Sequence, residues 1–499
     1  MAWLCIDAGT SVIKSVVFSD SGRELATARA SVAVLRPHPE YAEQNMRDVW
    51  QAVCDTARRA IADSGETIHA IATTAQGDGA WLVDGSHQPV ANAILWNDGR
   101  AVSIVNEWHA AGTLDEAAKI SGSLAYPGLP CSIWRWLDQQ QPKILSHAAA
   151  SLTCNGWLFL NLTGRLSANL SDASNPFCDV RCRAYSHDLL RLYGVEAYAH
   201  LLPPIRSSAE PARLLAAVAA VLGVPPNIPV VMAPYDIVAT AWGGGAIATG
   251  QACVILGTTI CAEVISATFD TASAGTTIAL EDGNLLRAMP TLTGCEALAW
   301  AADRLKLPSI EALGELAATA PLGSGDLLFL PYLSPAGERS PFLNPHARAS
   351  FHGLSLAHDG SHLARAVYEG LSFVIRECLN AASSTPVSEI RVCGGGARST
   401  FWCRMIADVT NCDVIRPAAE ELGARGAFLC GRTQLREMPT LQAAFDGLAS
   451  AAAPDERFTP NAANYHLYTA NFARFLIARE QAALSWSPSR MAAKRSLHE

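Results

Sequence analysis

Lysine is scarce in this 499-residue chain: there are five, and none follows a glycine, so the GxxxxGK[ST] phosphate loop is absent. The HRD signature of a protein-kinase catalytic loop is also missing. The run Gly394 to Gly396 fails the GxGxxG spacing, because Ser399 stands where the last glycine would be, and this disfavours a dinucleotide-binding dehydrogenase. No apolar stretch is long enough for a membrane span. The longest, Leu214 to Val224, is about half of the ~20 residues required and ends at Pro225 and Pro226. Near the N-terminus no basic segment precedes the apolar run, which Asp7 interrupts, so no secretory signal is expected. Lys/Arg-rich runs are lacking and the net charge is −9, so neither a nucleic acid nor a membrane is an expected partner. There are fourteen cysteines but no CxxC pair, which points to reduced, buried thiols and a cytoplasmic location. Cys178 and Cys182 have no partner pair at zinc spacing.

What is present is ample core material: half of the residues are apolar and 17% are charged. The length suits two large domains or three smaller ones. Val/Ile-rich strands alternate with amphipathic helices, the pattern of an α/β protein. Residues 3–7 and 12–18 read as two strands joined by a turn at Gly9 and Thr10. CVILGTTICAEVI from Cys253 repeats the CIDAGTSVIKSVV pattern from Cys5, with Gly257 standing for Gly9 about half a chain later. This predicts an internal duplication, two α/β domains facing each other across a cleft, each offering a Gly-Thr hairpin to a polyphosphate. The glycines at 243–245 read as a flexible crossover, giving an N-terminal domain over 1–242, a C-terminal domain over 243–485 and a frayed tail over 486–499. Residues 361–380 predict a packed helix. Residues 390–393, the Gly394–Gly396 turn and an apolar helix face at Trp402, Met405, Ile406 and Val409 form a strand, glycine turn and helix, a ready nucleotide site.

Phosphoryl transfer needs a held polyphosphate, Mg²⁺ and a carboxylate that receives the proton of the attacking hydroxyl. Asp7 is placed to hold the metal, directly or through water, and Thr10, Ser11 and Lys14 to contact phosphates. An ordinary turn-capping aspartate is the alternative reading of Asp7.

IDAGTSVIKSVVF at the start, APYDIVATAWGGG at 233–245, GERSPF at 337–342 and RVCGGGARSTFWCRMIADV at 391–409 together resemble the FGGY carbohydrate kinases. Each motif alone is weak; four in order and spacing are specific. The resemblance implies two ribonuclease-H-like domains of the actin-like ATPase architecture, with ATP and Mg²⁺ mainly on the second and the acceptor mainly on the first. It makes Asp236 the general base and a metal neighbour. It places the second phosphate loop at Gly257, Thr258 and Thr259, and the adenine pocket at Gly394, Gly395, Gly396 and Ala397. TAQGDGAW at 74–81 matches the acceptor-binding segment through Gln76 and Asp78, and Trp96 matches an aromatic that stacks on the acceptor. Asp98, Trp300, Glu338 and Arg339 read as structural.

Two departures concern the acceptor: Ile237 follows the base where Gln or Asn is usual, and Asn155 and Gly156 replace Asp-Tyr. Within the family the chain looks most like the erythritol and L-xylulose kinases, so the expected reaction is ATP-dependent phosphorylation of a small neutral polyol or ketose, erythritol first and L-xylulose or another pentulose or pentitol next. No Lys or Arg surrounds QGDG to neutralise an anionic acceptor. A non-catalytic ATP-binding sugar sensor is the alternative of another class, against which the retained Asp7, Asp236 and both Gly-Thr loops argue. Homo-oligomerisation is left open.

Overall fold

The computed structural model describes residues 1–206, 212–269, 274–448 and 454–486. Two mixed sheets, each backed by helices, organise them. In the first the strands run in the order Ala212–Arg213, Pro229–Met232, Ile68–Ala75, Ala2–Ala8, Val12–Ser19, Glu24–Ser31. In the second the order is Thr276–Ala279, Leu285–Pro290, Ile260–Ser266, Gln251–Leu256, Glu389–Cys393, Asp413–Arg416, Glu456–Phe458.

The expected duplication is present in this topology. Strand Ala2–Ala8 pairs antiparallel with the next strand in sequence and parallel with Ile68–Ala75 on its other side. Strand Gln251–Leu256 pairs antiparallel with Ile260–Ser266 and parallel with Glu389–Cys393. Each sheet therefore centres on a strand whose C-terminal end opens into a Gly-Thr hairpin: Gly9 N–H donates to Val12 O at 3.1 Å, and Gly257 N–H to Thr259 O at 3.1 Å. Central strands are buried on both faces, which explains their near-continuous apolar composition.

The first sheet packs against the helix Met46–Ser64, capped by Asn45, whose side chain accepts from the backbone N–H groups of Arg47 and Asp48. In the second half, the helix Gly360–Ala382 crosses the core and starts with a capping box at Asp359 and His362. Trp300 stacks on Phe329 at 6.0 Å and 10°, as a core tryptophan would. Trp486 is buried and stacks on Phe342, so it belongs to the packed body; residues 487–499 of the expected tail lie outside the described residues.

Between the sheets, the helices Asp236–Gly244 and Leu422–Gln434 cross in a shared apolar core that takes side chains from both halves, among them Trp3, Phe18, Val238, Trp242, Cys253 and Phe428. Here the expectation of a flexible triple glycine is corrected. Gly243 and Gly244 form the last turn of the helix and are buried, because a Cβ on Gly243 would lie 1.9 Å from Leu422 O and one on Gly426 1.8 Å from Ala239 O. These glycines let two backbones touch; they do not loosen the chain.

Candidate active site

Asp7 ends the first strand, and Asp236 opens the helix that follows strand Pro229–Met232. The approach to Asp236 is braced from several sides. Thr74 Oγ1 donates to Pro234 O at 2.7 Å, Asn155 Nδ2 to Ala233 O at 2.7 Å, and Tyr235 N–H to Ser171 Oγ at 3.1 Å. Asn155 also accepts from Thr73 Oγ1 at 2.7 Å, so the departure noted at this position is a buried brace joining two segments. Loss of water raises the Asp236 carboxyl to about 8, with the negative charge of Asp7 second and the Ile237 N–H offsetting part of it. Asp7 is raised by burial too, against the attraction of Lys14.

Lys14 lies 3.7 Å from Asp7 Oδ2 and 3.0 Å from Glu421 Oε2. Burial alone would favour its neutral amine, but Asp7 and Glu421 outweigh this and raise its pKa. Arg29 is a further partner of Glu421. Glu421 comes from the second half of the chain and was not legible in the sequence; its only signal is its place just before the helix Leu422–Gln434.

The acceptor-motif residues divide into two groups. In the first, Thr10 Oγ1 donates to Gln76 Oε1 at 2.8 Å and accepts from Trp96 Nε1 at 2.9 Å, while Gln76 Nε2 donates to Gln44 Oε1 at 2.8 Å. Gln76 is 2% exposed. Its amide holds Thr10, and through it Trp96, in place. The Thr10 hydroxyl is engaged in the same network, whereas Ser11 is exposed beside it. In the second group, Asp78 Oδ2 accepts from Tyr126 Oη at 2.5 Å and Oδ1 from Asn175 Nδ2 at 3.1 Å. Burial raises Asp78 to about 6, with the Tyr126 and Asn175 hydrogen bonds opposing. Asp98 is bound by Arg100 and by Ala42 N–H, the structural role expected of it.

On the second half, the Gly257–Thr259 hairpin lies against the start of the helix Cys295–Arg304, where Cys295 N–H donates to Gly257 O at 2.9 Å and Glu296 N–H to Thr258 O at 3.4 Å. The Gly394 turn sits directly on the same strand: its φ is +84°, and a Cβ there would fall 2.7 Å from Leu256 O. Next to it opens a cavity of about 380 Å³ lined by Ile310, Gly314, Gly395, Gly396, Arg398 and Phe401, among others. The methyl of Ala397 is buried in the core beneath this turn. Ile310 and Gly314 carry no motif that sequence reasoning could have used, whereas Phe401 lies within the motif at 391–409.

Two Gly-Thr hairpins, a cavity beside the second of them and a carboxylate pair where the halves meet are the parts of a phosphotransferase. Residues 2–243 match the N-terminal domain of the FGGY family of carbohydrate kinases, and residues 252–435 match its C-terminal domain. The chain belongs to the FGGY family of carbohydrate kinases. It is 32% identical to the erythritol kinase of Brucella abortus (strain 2308), over 96% of each chain. To the L-xylulose/3-keto-L-gulonate kinase of Escherichia coli (strain K12) it is 30% identical, over 86% of this chain and 87% of that one. The crystal structure of a ligand-bound xylulose kinase from Lactobacillus acidophilus superposes with a TM-score of 0.90 at 22% identity, covering 97% of this chain and 99% of that one, and so shares the fold. As in other FGGY kinases, the donor is ATP. Among the described residues, no helix is long and apolar enough to cross a membrane, all fourteen cysteines are free, and no three His, Cys, Asp or Glu side chains cluster to hold a metal by themselves.

Proposed function

We propose that this FGGY kinase transfers the γ-phosphoryl group of ATP to a hydroxyl of a small neutral polyol or ketose in the cytoplasm, with erythritol as the first candidate and L-xylulose or another pentulose or pentitol as the second. The observation that carries the proposal is the placement of Asp236. Its carboxyl stands at a helix N-terminus, within the electrostatic reach of both Asp7 and Asp78. A hydroxyl held at Asp78 and Trp96 therefore meets the base and the polyphosphate at one point. Asp236 receives the proton as the oxygen attacks. Residues 1–242 hold the acceptor; residues 243–485 hold ATP through Gly257, Thr258 and Thr259 and through the cavity at Gly395 and Gly396.

Mg²⁺ fits this arrangement. The charge of Asp7 adds to burial in raising Asp236, a strain that a divalent cation relieves, and Mg²⁺ is commonly held by one or two carboxylates completed by water and phosphate oxygens. Bound there it would neutralise charge on the transferring phosphoryl group. Asp7 and Asp236 are its proposed holders, directly or through water, and Ser11 and Lys14 the phosphate neighbours.

The fold adds one cation that the acceptor motif lacks, Arg339, but Asp78 balances it, and a neutral acceptor remains the better match. Ile237 beside the base favours a short chain needing few polar contacts. Screening erythritol, threitol, xylitol, L-xylulose, D-xylulose, ribulose, glycerol and gluconate by coupled ADP release should give the highest kcat/KM with a four-carbon alditol. Gluconate or D-xylulose as the clear best acceptor would overturn the acceptor assignment, and absence of acceptor-stimulated ADP release throughout would favour a sugar sensor.

A further inference from the structure

Glu338 and Arg339 belong to the ATP-binding half, and the sequence reading left both as structural. Glu338 fits that role: it is 2% exposed and its Oε1 accepts from the backbone N–H groups of Leu292 at 2.7 Å and Arg339 at 2.9 Å. Arg339 does something else with the platform so formed. Its Nε donates to Pro290 O at 2.9 Å, and its guanidinium carbon lies 5.4 Å from the centre of the Tyr126 ring, on the other half of the molecule. Tyr126 in turn donates to Asp78.

We infer that Arg339 is a positioning residue for the acceptor: the ATP-binding half reaches across the cleft through it, fixes the Tyr126 ring by a cation–π contact and thereby sets the orientation and charge of Asp78. The inference rests on the proposed function, in which Asp78 receives acceptor hydroxyls. An arginine suits the task because its planar head lies over a ring while Nε stays tied to a carbonyl; a lysine keeps the charge but lacks the planar fork that serves ring and carbonyl together. Among the described residues, the ionisable groups around Asp78 are Tyr126, Tyr235, Cys131, Asp172, Asp236 and the cation Arg339. Its charge favours the ionised carboxylate, against the burial that raises Asp78 to about 6. The acceptor wall is therefore complete only when the two halves are together, which makes acceptor binding sensitive to domain closure.

The test uses the full-length enzyme with the best acceptor of the panel and compares R339Q, R339K and Tyr126→Leu. R339Q is expected to raise the acceptor KM roughly tenfold while the ATP KM stays within about twofold. Without the cation Asp78 protonates more easily, so acceptor affinity, followed by calorimetry in an Asp236→Asn background where the base no longer titrates, should weaken at a higher pH than in the Arg339 parent. R339K should restore the pH profile but not the KM. Combined with Tyr126→Leu, R339Q should cost less than the two changes summed. Equal changes in both KM values with an unmoved pH profile would reduce Arg339 to a loop anchor and overturn the inference. If R339Q does not fold, R339K and Tyr126→Leu must each raise the acceptor KM over that of ATP, or the inference fails. A parent enzyme that phosphorylates no member of the panel sinks the functional reading and this inference with it, whereas an active parent with indifferent variants sinks this inference alone.

Discussion

Asp236 is subject to opposing influences. Burial and the neighbouring Asp7 push its carboxyl up to about 8, while its place on the first turn of a helix and the Ile237 N–H favour the charged form. A carboxylate tuned upward in this way is a stronger proton acceptor once ionised, which suits a base acting on an alcohol. Asp236→Asn keeps the shape and removes the basicity. It should lower kcat by about 10²- to 10⁴-fold, with ATP affinity within a few-fold of the parent by calorimetry. Near-normal turnover would remove Asp236 from the base role. Asp7 was legible in the sequence from its place just before the Gly9-Thr10 turn, and Asp78 and Asp236 from their match to the family's motifs. Tyr126, Asn175 and Glu421 were not: they come from separate segments with no local signature, and only the tertiary fold brings them to the site.

The helices Asp236–Gly244 and Leu422–Gln434 carry the two halves of the machinery against each other, and their contact is made of backbone. The triple glycine was misread for a definite reason. Composition alone cannot separate a hinge from a close helix crossing, and the deciding neighbours, Leu422 and Gly426, lie far along the chain. The Gly-Thr hairpins, by contrast, were legible as a repeat because hairpin turns are encoded within a few residues. Gly426→Ala tests the crossing. Alanine gains about 1 kcal/mol of intrinsic helix propensity, but its Cβ would meet the Ala239 carbonyl at 1.8 Å, a clash no side-chain rotation relieves. Overpacking costs of about 1–3 kcal/mol or more should win. A fall in Tm together with lost activity is expected, because the shifted partner helix bears Asp236. Gly85→Ala, where nothing lies within 4 Å, should be neutral. An unchanged Tm for Gly426→Ala would show that the helices separate at little cost.

Across the whole molecule, the interior around the cleft collects acids held above their ordinary range, in each case first by loss of water: Asp78 at about 6, Glu338 at about 7, Asp172 and Asp236 at about 8, with Asp7 and Glu263 also raised. In the unfolded chain these groups titrate near 4, so between that point and their folded values the native state binds more protons than the unfolded one. Stability must then fall as pH rises through that window. The lowered carboxyls, Asp179, Glu311, Asp359 and Glu421, act in the opposite sense only below the usual carboxylate range and leave the window untouched. Thermal melts of the ligand-free enzyme should therefore show Tm declining from pH 5.5 to pH 8.5. Asp172 isolates the effect because it lies outside the proposed reacting groups, is 7% exposed and owes its shift to burial, with Thr153 offsetting only part. Asp172→Asn places a neutral group of the same shape there, which removes the cost of ionising a buried carboxyl. It should flatten the decline and raise Tm more at pH 8.5 than at pH 5.5. A parent Tm that holds steady or climbs across this range, or a slope unaltered by the substitution, would mean that these acids are ionised and solvated in the folded enzyme.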